Sequence, residues 1–247
     1  MRQTLINLNL DILNKSQALN ACAEALREPR PKSLFFINAH CFNIAQQDHH
    51  YHKVLDRSDL VFNDGIGIKL IGLLNNVRFH DNLNGTDLIP QIIDLGVLQN
   101  LSFYFVGGSD VVVHCTQAKL REKYPDIRIN GIQNGFFTES QEAAIIQDIN
   151  KKKPDILIVC MGVPKQELWI EKIRNNLHTV RLCIAGGGVF DFISGKIRRA
   201  PVAMRRANME WLYRLCLEPR RLWKRYLVGM FLLGYHVIRS RLIRSRF

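Results

Sequence analysis

Leu60-Val61-Phe62-Asn63-Asp64-Gly65-Ile66-Gly67 is the stretch on which the fold turns. Leu60-Val61-Phe62 is a short apolar run of the kind that fills a strand buried on both faces. The run ends on a carboxylate and two glycines, and the apolar spacing beyond them is that of a helix. A strand end that delivers an acid and free backbone N–H groups into one crevice is the ligand-binding corner of a parallel α/β sheet. Asp64 is open to three uses there: general base, acceptor for a ribose hydroxyl, or helix N-cap. Gly65-x-Gly67 lacks the third glycine of a dinucleotide fingerprint, because position 70 is Leu70. An NAD(P)-dependent oxidoreductase on a Rossmann-like fold stands as the alternative reading.

The same unit recurs to either side. Strands are expected over 34–38, 60–63, 101–106, 127–131, 156–160 and 181–184. Helices are expected over 41–57, 65–74, 86–99, 109–123, 139–151 and 164–176. Thr86, Ser109 and Glu139 suit helix starts, and Lys151-Lys152-Lys153-Pro154 suits a helix end. Strands that are apolar throughout and separated by helices imply an α/β fold, a Rossmann-like parallel sheet with helices on both faces. Ligands of such sheets sit off the carboxyl ends of the strands.

Those ends are rich in glycine and polar residues. The first strand ends on Asn38, either a donor to a uracil or sugar carbonyl or a cap for the next helix. Asn84-Gly85-Thr86-Asp87 offers either an anion site or a turn with a cap. Gly107-Gly108-Ser109 leaves room for a phosphate or base to approach closely. Gly162-Val163-Pro164-Lys165-Gln166-Glu167 places Pro164 in a first helical turn and aims Lys165 and Gln166 at the crevice. Gly186-Gly187-Gly188 closes the series, followed by Phe190-Asp191-Phe192. Together these ends describe a pocket for a nucleotide diphosphate. No metal ion and no cofactor is expected. His49, His50 and His52 read as a solvated helix face, no D-x-D pair is present, and the nucleophile-elbow and P-loop motifs are missing.

Charge divides the chain. The 247 residues carry a formal net charge of +12. Residues 1–195 hold 20 basic and 20 acidic side chains, whereas 196–247 hold 14 basic and 2 acidic. A neutral catalytic body (1–195) and a basic, aromatic-rich helical appendage (196–247) are therefore expected. In the appendage Trp211, Tyr213, Trp223, Tyr226 and Phe231 accompany arginines, a composition suited to an anionic membrane surface. Its Leu, Val and Phe content argues against a nucleic-acid-binding arm. The apolar run at 226–238 has 13 residues, about 20 Å of helix against a hydrocarbon core of about 30 Å, so a peripheral attachment is expected rather than a span. Burial against lipid and burial in a homo-oligomer both remain open for it. The six scattered cysteines read as free thiols in a reducing cytoplasm, and the N-terminus lacks a signal-peptide core.

Taken in order, these pieces resemble the WecG/TagA/CpsF glycosyltransferases. The resemblance runs across about residues 34–226. It is carried by the strand ending at Asn38, Asn63-Asp64-Gly65-Ile66-Gly67, Gly85-Thr86-Asp87-Leu88, Val106-Gly107-Gly108 and Met161-Gly162-Val163-Pro164-Lys165-Gln166-Glu167. Phe190-Asp191-Phe192 with Gly195-Lys196, Arg199-Ala200-Pro201, Glu210-Trp211-Leu212-Tyr213-Arg214-Leu215 and Glu218-Pro219-Arg220-Arg221 complete it.

The resemblance implies an inverting, metal-independent bacterial enzyme of surface-polysaccharide synthesis. It would move an N-acetylmannosamine-type sugar (ManNAc, ManNAcA or a related hexose) from a UDP-sugar donor. The implied acceptor is a polyprenyl-diphosphate-linked sugar at the cytoplasmic face of the inner membrane. Asp64 takes the position of the family's catalytic aspartate. Asn38, Gly65, Gly85, Asp87, Gly107, Gly108, Gly162, Pro164, Lys165, Gln166, Glu167, Gly187 and Asp191 are the candidate donor residues. Arg78, Arg199, Arg214, Arg221, Trp223 and Arg225 are the candidates for the acceptor diphosphate and the membrane. Two departures stand out: Phe36 replaces a Thr found in some members two residues before Asn38, and Ala185-Gly186-Gly187 replaces Gly-Val-Gly.

Overall fold

A computed structural model describes residues 2–244, with side chains through Ser240. Arg241 and Arg244 of the basic tail fall outside the described side chains, and Arg246 outside the described residues.

The core is a six-stranded sheet in the order β4-β3-β8-β7-β5-β6, with every described pairing parallel. Its strands are β3 (Lys32–Ile37), β4 (Leu60–Asn63), β5 (Ser102–Gly107), β6 (Arg128–Gln133), β7 (Ile156–Cys160) and β8 (Leu182–Ala185). Alternate side chains feed two separate cores, as the pleat requires. Phe35, Ile37, Val106, Leu157 and Val159 point into one; Leu34, Phe36, Phe105, Ile158 and Ile184 point into the other.

The first core is covered by α2 (Ala39–Gln47), α3 (His49–Arg57), α4 (Ile66–Leu74), α7 (Glu139–Lys152) and α8 (Lys165–Ile173). The second is covered by α1 (Lys15–Ala25), α5 (Gly85–Leu98), α6 (Asp110–Lys123) and α9 (Val189–Ile193). The expected fold class is the one observed, and each expected strand lies within two residues of its place.

Two differences have local causes. The helix expected over 41–57 is broken at Asp48, whose carboxylate takes the N–H groups of His50 (2.8 Å) and Tyr51 (3.0 Å) and so starts α3 afresh. Ahead of the sheet, where no element was expected, β1 (Arg2–Leu5) and β2 (Leu8–Asp11) form an antiparallel hairpin. Its Leu5, Leu8 and Leu10 are buried, and the Asp11 carboxylate accepts the Val61 N–H at 2.8 Å. The hairpin thereby covers part of the free edge of β4, a usual device against strand-edge association.

The tail comprises α10 (Val202–Arg206), α11 (Glu210–Leu217), α12 (Pro219–Trp223), a π-helical stretch (Lys224–Val228) and α13 (Gly229–Arg244). α13 rests on the body. Leu233 and Val237 join the core that contains Phe42 and Ile68, and Asn43 Nδ2 donates to the Gly229 carbonyl at 2.7 Å. No helix among the described residues is long and apolar enough to cross a membrane. All six cysteines are free; Cys22, Cys41, Cys160 and Cys183 are buried, Cys115 and Cys216 exposed.

Candidate active site

The carboxyl ends of β3 and β4 meet. The Asp64 N–H donates to the Ile37 carbonyl at 2.8 Å, which extends the ladder by one step and sets Asp64 beside Asn38. Asn38 does two things. Its Oδ1 accepts from the His40 and Cys41 N–H groups and so caps α2, while its Nδ2 lies 3.4 Å from Asp64 Oδ2. Asp64 itself is not a cap. The N-cap of α4 is Gly65, in a φ of 83° that favours glycine, and it makes no side-chain capping bond. The Gly65 N–H is taken by Asn82 Oδ1 at 2.7 Å. The carboxylate of Asp64 therefore faces open space.

That space is a cavity of about 350 Å³. Asn38, His40, Asp64 and Gly65 form its floor, and Asn84, Thr86 and Asp87 at the start of α5 form one wall. The start of α4 adds Ile66 and Gly67, and the tail supplies much of the rest, with Arg205, Glu210, Trp211, Arg214, Arg225 and Met230 among its lining. Burial lifts the pKa of Asp64 above the usual carboxylate range, opposed by the Asn38 hydrogen bond and the charges of Arg225 and Arg214 and reinforced by Glu210. Burial, then Arg225, pushes His40 down to about 4, so its ring is neutral near pH 7. The Nε atoms of Arg214 and Arg225 are buried without a hydrogen-bond partner among the described residues.

One arginine ties the tail to the cavity wall. Arg199 donates from Nη2 to Asp87 Oδ1 (2.7 Å), from Nε to Glu210 Oε1 (2.8 Å) and from Nη1 to the Thr86 carbonyl (3.1 Å). Burial acts to raise the Asp87 pKa, but the Asn84 and Arg199 hydrogen bonds and the charges of Arg199 and Arg205 hold it below its usual range.

The model of the glycosyl transferase WecG/TagA/CpsF family matches residues 3–247. The chain belongs to this family. A relative from Bacillus subtilis strain 168 is 33% identical over 183 residues, covering 74% of this chain and 70% of the relative. It is named N-acetylglucosaminyldiphosphoundecaprenol N-acetyl-beta-D-mannosaminyltransferase. A Bacillus spizizenii protein of the same name is 32% identical over the same length and shares. The enzyme is a glycosyltransferase, and the nicotinamide alternative falls.

In this glycosyltransferase a second set of expected residues gathers at the ends of β5, β7 and β8, outside the cavity lining. Gln166 is its hub. Gln166 Oε1 accepts the N–H groups of Gly162 (3.2 Å) and Gly187 (3.0 Å), while its Nε2 donates to Glu167 Oε1 at 2.8 Å. Glu167 is fully buried, and burial pushes its pKa up to about 7 against the Gln166 hydrogen bond. Lys165 donates to the Gly135 carbonyl at 3.1 Å and lies over the Phe137 ring. Pro164 follows a cis peptide.

Glycine is needed for packing at Gly107 and Gly108, while a side chain at Gly85, at the start of α5, would press on its neighbour. A Cβ at Gly107 would lie 2.2 Å from the Cys160 carbonyl oxygen, one at Gly108 2.7 Å from Val112, and one at Gly85 3.2 Å from the Phe36 ring. The last contact shows what Phe36 does in this member: its ring fills the space behind the start of α5 and packs edge-on against Phe62.

The remaining expected residues lie apart from the cavity. Asp191 pairs with Lys196 at 3.1 Å. Arg78 is exposed, Arg221 pairs with Glu218, and Trp223 is exposed beside Lys224. Sequence reasoning missed Asn82, Glu210 and Met230 as lining residues. Asn82-x-Asn84 was visible as a polar loop, and Glu210 as one of only two acids in the tail. Nothing in the sequence signalled Met230.

Proposed function

We propose that this glycosyltransferase moves an N-acetylmannosamine-type hexose from a UDP-sugar to a hydroxyl of a polyprenyl-diphosphate-linked sugar, with inversion and without a metal ion. The observation that carries the reading is the carboxylate of Asp64, held by Asn38, on the floor of a cavity that also holds Arg214 and Arg225. The names of the Bacillus relatives support the acceptor class and the transferred sugar.

Asp64 takes the proton of the acceptor hydroxyl as that oxygen attacks the sugar C1, and the C1–O bond to UDP breaks on the opposite face. Its raised pKa suits a base, because a carboxylate nearer the working pH accepts a proton more readily. Asn38 holds the carboxylate's orientation. Two guanidiniums with buried Nε atoms supply preorganised positive charge for a diphosphate, which serves where charge accumulates in the transition state.

The glycine turns at Gly65, Gly85, Gly107, Gly108, Gly162 and Gly187, with Asp87, Pro164, Lys165, Gln166, Glu167 and Asp191, remain the proposed donor side. Within it, Gln166 and Glu167 act by holding two turns together. Arg199, by clamping Asp87 to Glu210, sets the wall rather than touching substrate. The exposed cations and aromatics of the tail, Arg221 and Trp223 among them, are proposed to meet an anionic membrane surface peripherally at its cytoplasmic face, with Arg78 as a further candidate cation. No nucleic-acid partner is proposed. The test is a donor screen against a synthetic GlcNAc-diphosphate-lipid, with UDP release read by mass spectrometry. Release with UDP-ManNAc supports the reading, and no release with any UDP-hexosamine overturns it.

A further inference from the structure

A row of exposed apolar side chains on α4 starts inside the cavity and runs away from it, and a second exposed apolar face on α13 begins one residue beyond the cavity lining. On α4, Ile66 lines the cavity at 40% exposure, and Leu70 and Leu73 follow at 43% and 60%. The spacing i, i+4, i+7 puts all three on one helix face, while the opposite face, with Ile68 and Ile71, is buried in the core. On α13, Met230 also lines the cavity, at 45% exposure; one residue on, Phe231, Tyr235 and Ile238 share an exposed face at i, i+4, i+7, while Leu233 and Val237 face the body.

The helices approach closely. A Cβ added at Gly67 would lie 3.5 Å from Leu233 Cδ2, in addition to clashing with Ala39. The α4 row therefore has one end in the cavity wall and the other on the open surface, with the exposed face of α13 on the neighbouring helix. An apolar row that served only to bury a core would face inward, and a scattered set of surface leucines would not share an origin.

We infer that the α4 row and the α13 face are the seat of the acceptor's isoprenoid chain, which leaves the cavity between α4 and α13. The inference rests on the proposed acceptor class and gives it residues. An acceptor of that class is linear: sugar, then diphosphate, then hydrocarbon. The cavity presents the complementary chemistry in kind: the Asp64 carboxylate for a sugar hydroxyl, the buried Nε atoms of Arg214 and Arg225, without a partner among the described residues, for the diphosphate, and Ile66 and Met230 at the apolar exit. From Ile66 to Leu73 the α4 row extends about 10 Å along the helix, room for a few isoprene units before the chain passes to lipid.

The test compares two acceptors in one detergent, identical except that one carries a short water-soluble isoprenoid and the other a long polyprenyl chain. The full-length enzyme and its Leu70→Asn/Leu73→Asn variant are assayed for UDP release, with Leu98→Asn, exposed on the far end of α5, as the control. All three are first matched in thermal unfolding. The wild type and the control should prefer the long chain by about tenfold in kcat/KM, through KM, and the variant should lose that preference to within about twofold.

A variant that keeps the wild-type preference overturns the inference while leaving the proposed reaction standing. Sedimentation showing that the wild type self-associates at assay concentration and the variant does not also overturns it, because a second copy would then own the surface. Failure of the wild type to use either acceptor is a failure of the proposed acceptor class, and the inference falls with it.

Discussion

Asn38 Nδ2 stands 3.4 Å from Asp64 Oδ2, while the Oδ1 of the same amide holds two N–H groups at the start of α2. One side chain thus fixes both a helix end and the direction of the carboxylate. The capping role dictates which way the amide faces, so its NH₂ is left with Asp64.

Replacing Asp64 with Asn removes the base and keeps the shape. Turnover should fall by about 10²–10⁴-fold, the usual worth of a positioned proton acceptor, with little change in donor KM. Direct measurement of UDP release checks this, and a variant within a few-fold of wild type would exclude Asp64 as the base.

Asn38→Ala should act through pH. The Asn38 hydrogen bond lowers the Asp64 pKa, so its loss raises that pKa further above the usual range. The acidic limb of the kcat/KM profile should move to higher pH. The same change removes the α2 cap, at a cost of about 1 kcal/mol in unfolding free energy. A pH–rate profile and a denaturant titration separate the two effects.

Arg199→Ala should loosen the tail. Arg199 links Asp87 to Glu210 with both partners partly exposed, so the loss is about 1–2 kcal/mol after allowance for solvent screening. The pKa of Asp87 is depressed in the folded protein. Its contribution is therefore full above the unfolded value, about 4, and disappears as pH falls through the folded one. Unfolding midpoints measured from pH 7 down to pH 3 should converge between wild type and variant at the acid end.

Arg220, Arg221, Lys224 and Arg239 are all exposed. Changing the four to Ser should weaken binding to anionic vesicles by about a hundredfold or more, at about 1 kcal/mol per cation near the surface, and leave binding to neutral vesicles unchanged. Vesicle sedimentation at one ionic strength reads this out.

Turnover should be the same with and without EDTA, because arginine side chains are proposed to carry the diphosphate charge. A large loss on chelation, restored by added Mg²⁺, would overturn the metal-independent reading.

The sheet was legible because its strands are apolar on both faces, as Leu34–Ile37 and Ile156–Cys160 show, in runs too short for buried helices and set apart by helical stretches. The hairpin at the start was not: β2 alternates Leu8-Asn9-Leu10-Asp11, too short a run to stand out from a loop. At the site, Asn38, Asp64 and Gly65 were readable because they follow strands directly, and position after a strand fixes position in the crevice. Gly107, Gly108 and Gly187 were readable by the same logic, yet they lie in turns outside the lining of the cavity that holds Asp64. A strand-end rule names the edge of the sheet and not the place along it. The wall formed by Glu210, Trp211, Arg214 and Met230 depends on a fold-back across more than a hundred residues, which local spacing does not encode.

The interlock of Arg199 with Asp87, and of Asn43 with Gly229, has a bearing on how such chains diversify. The cavity is built from both sides of the boundary near residue 196, so the tail is not a cassette. A chimera that joins the tail of one relative to the body of another inherits mismatched halves of one chamber. Recombination across that seam should yield proteins that fold as sheets yet turn over poorly until the partners on α2 and α5 are exchanged as well.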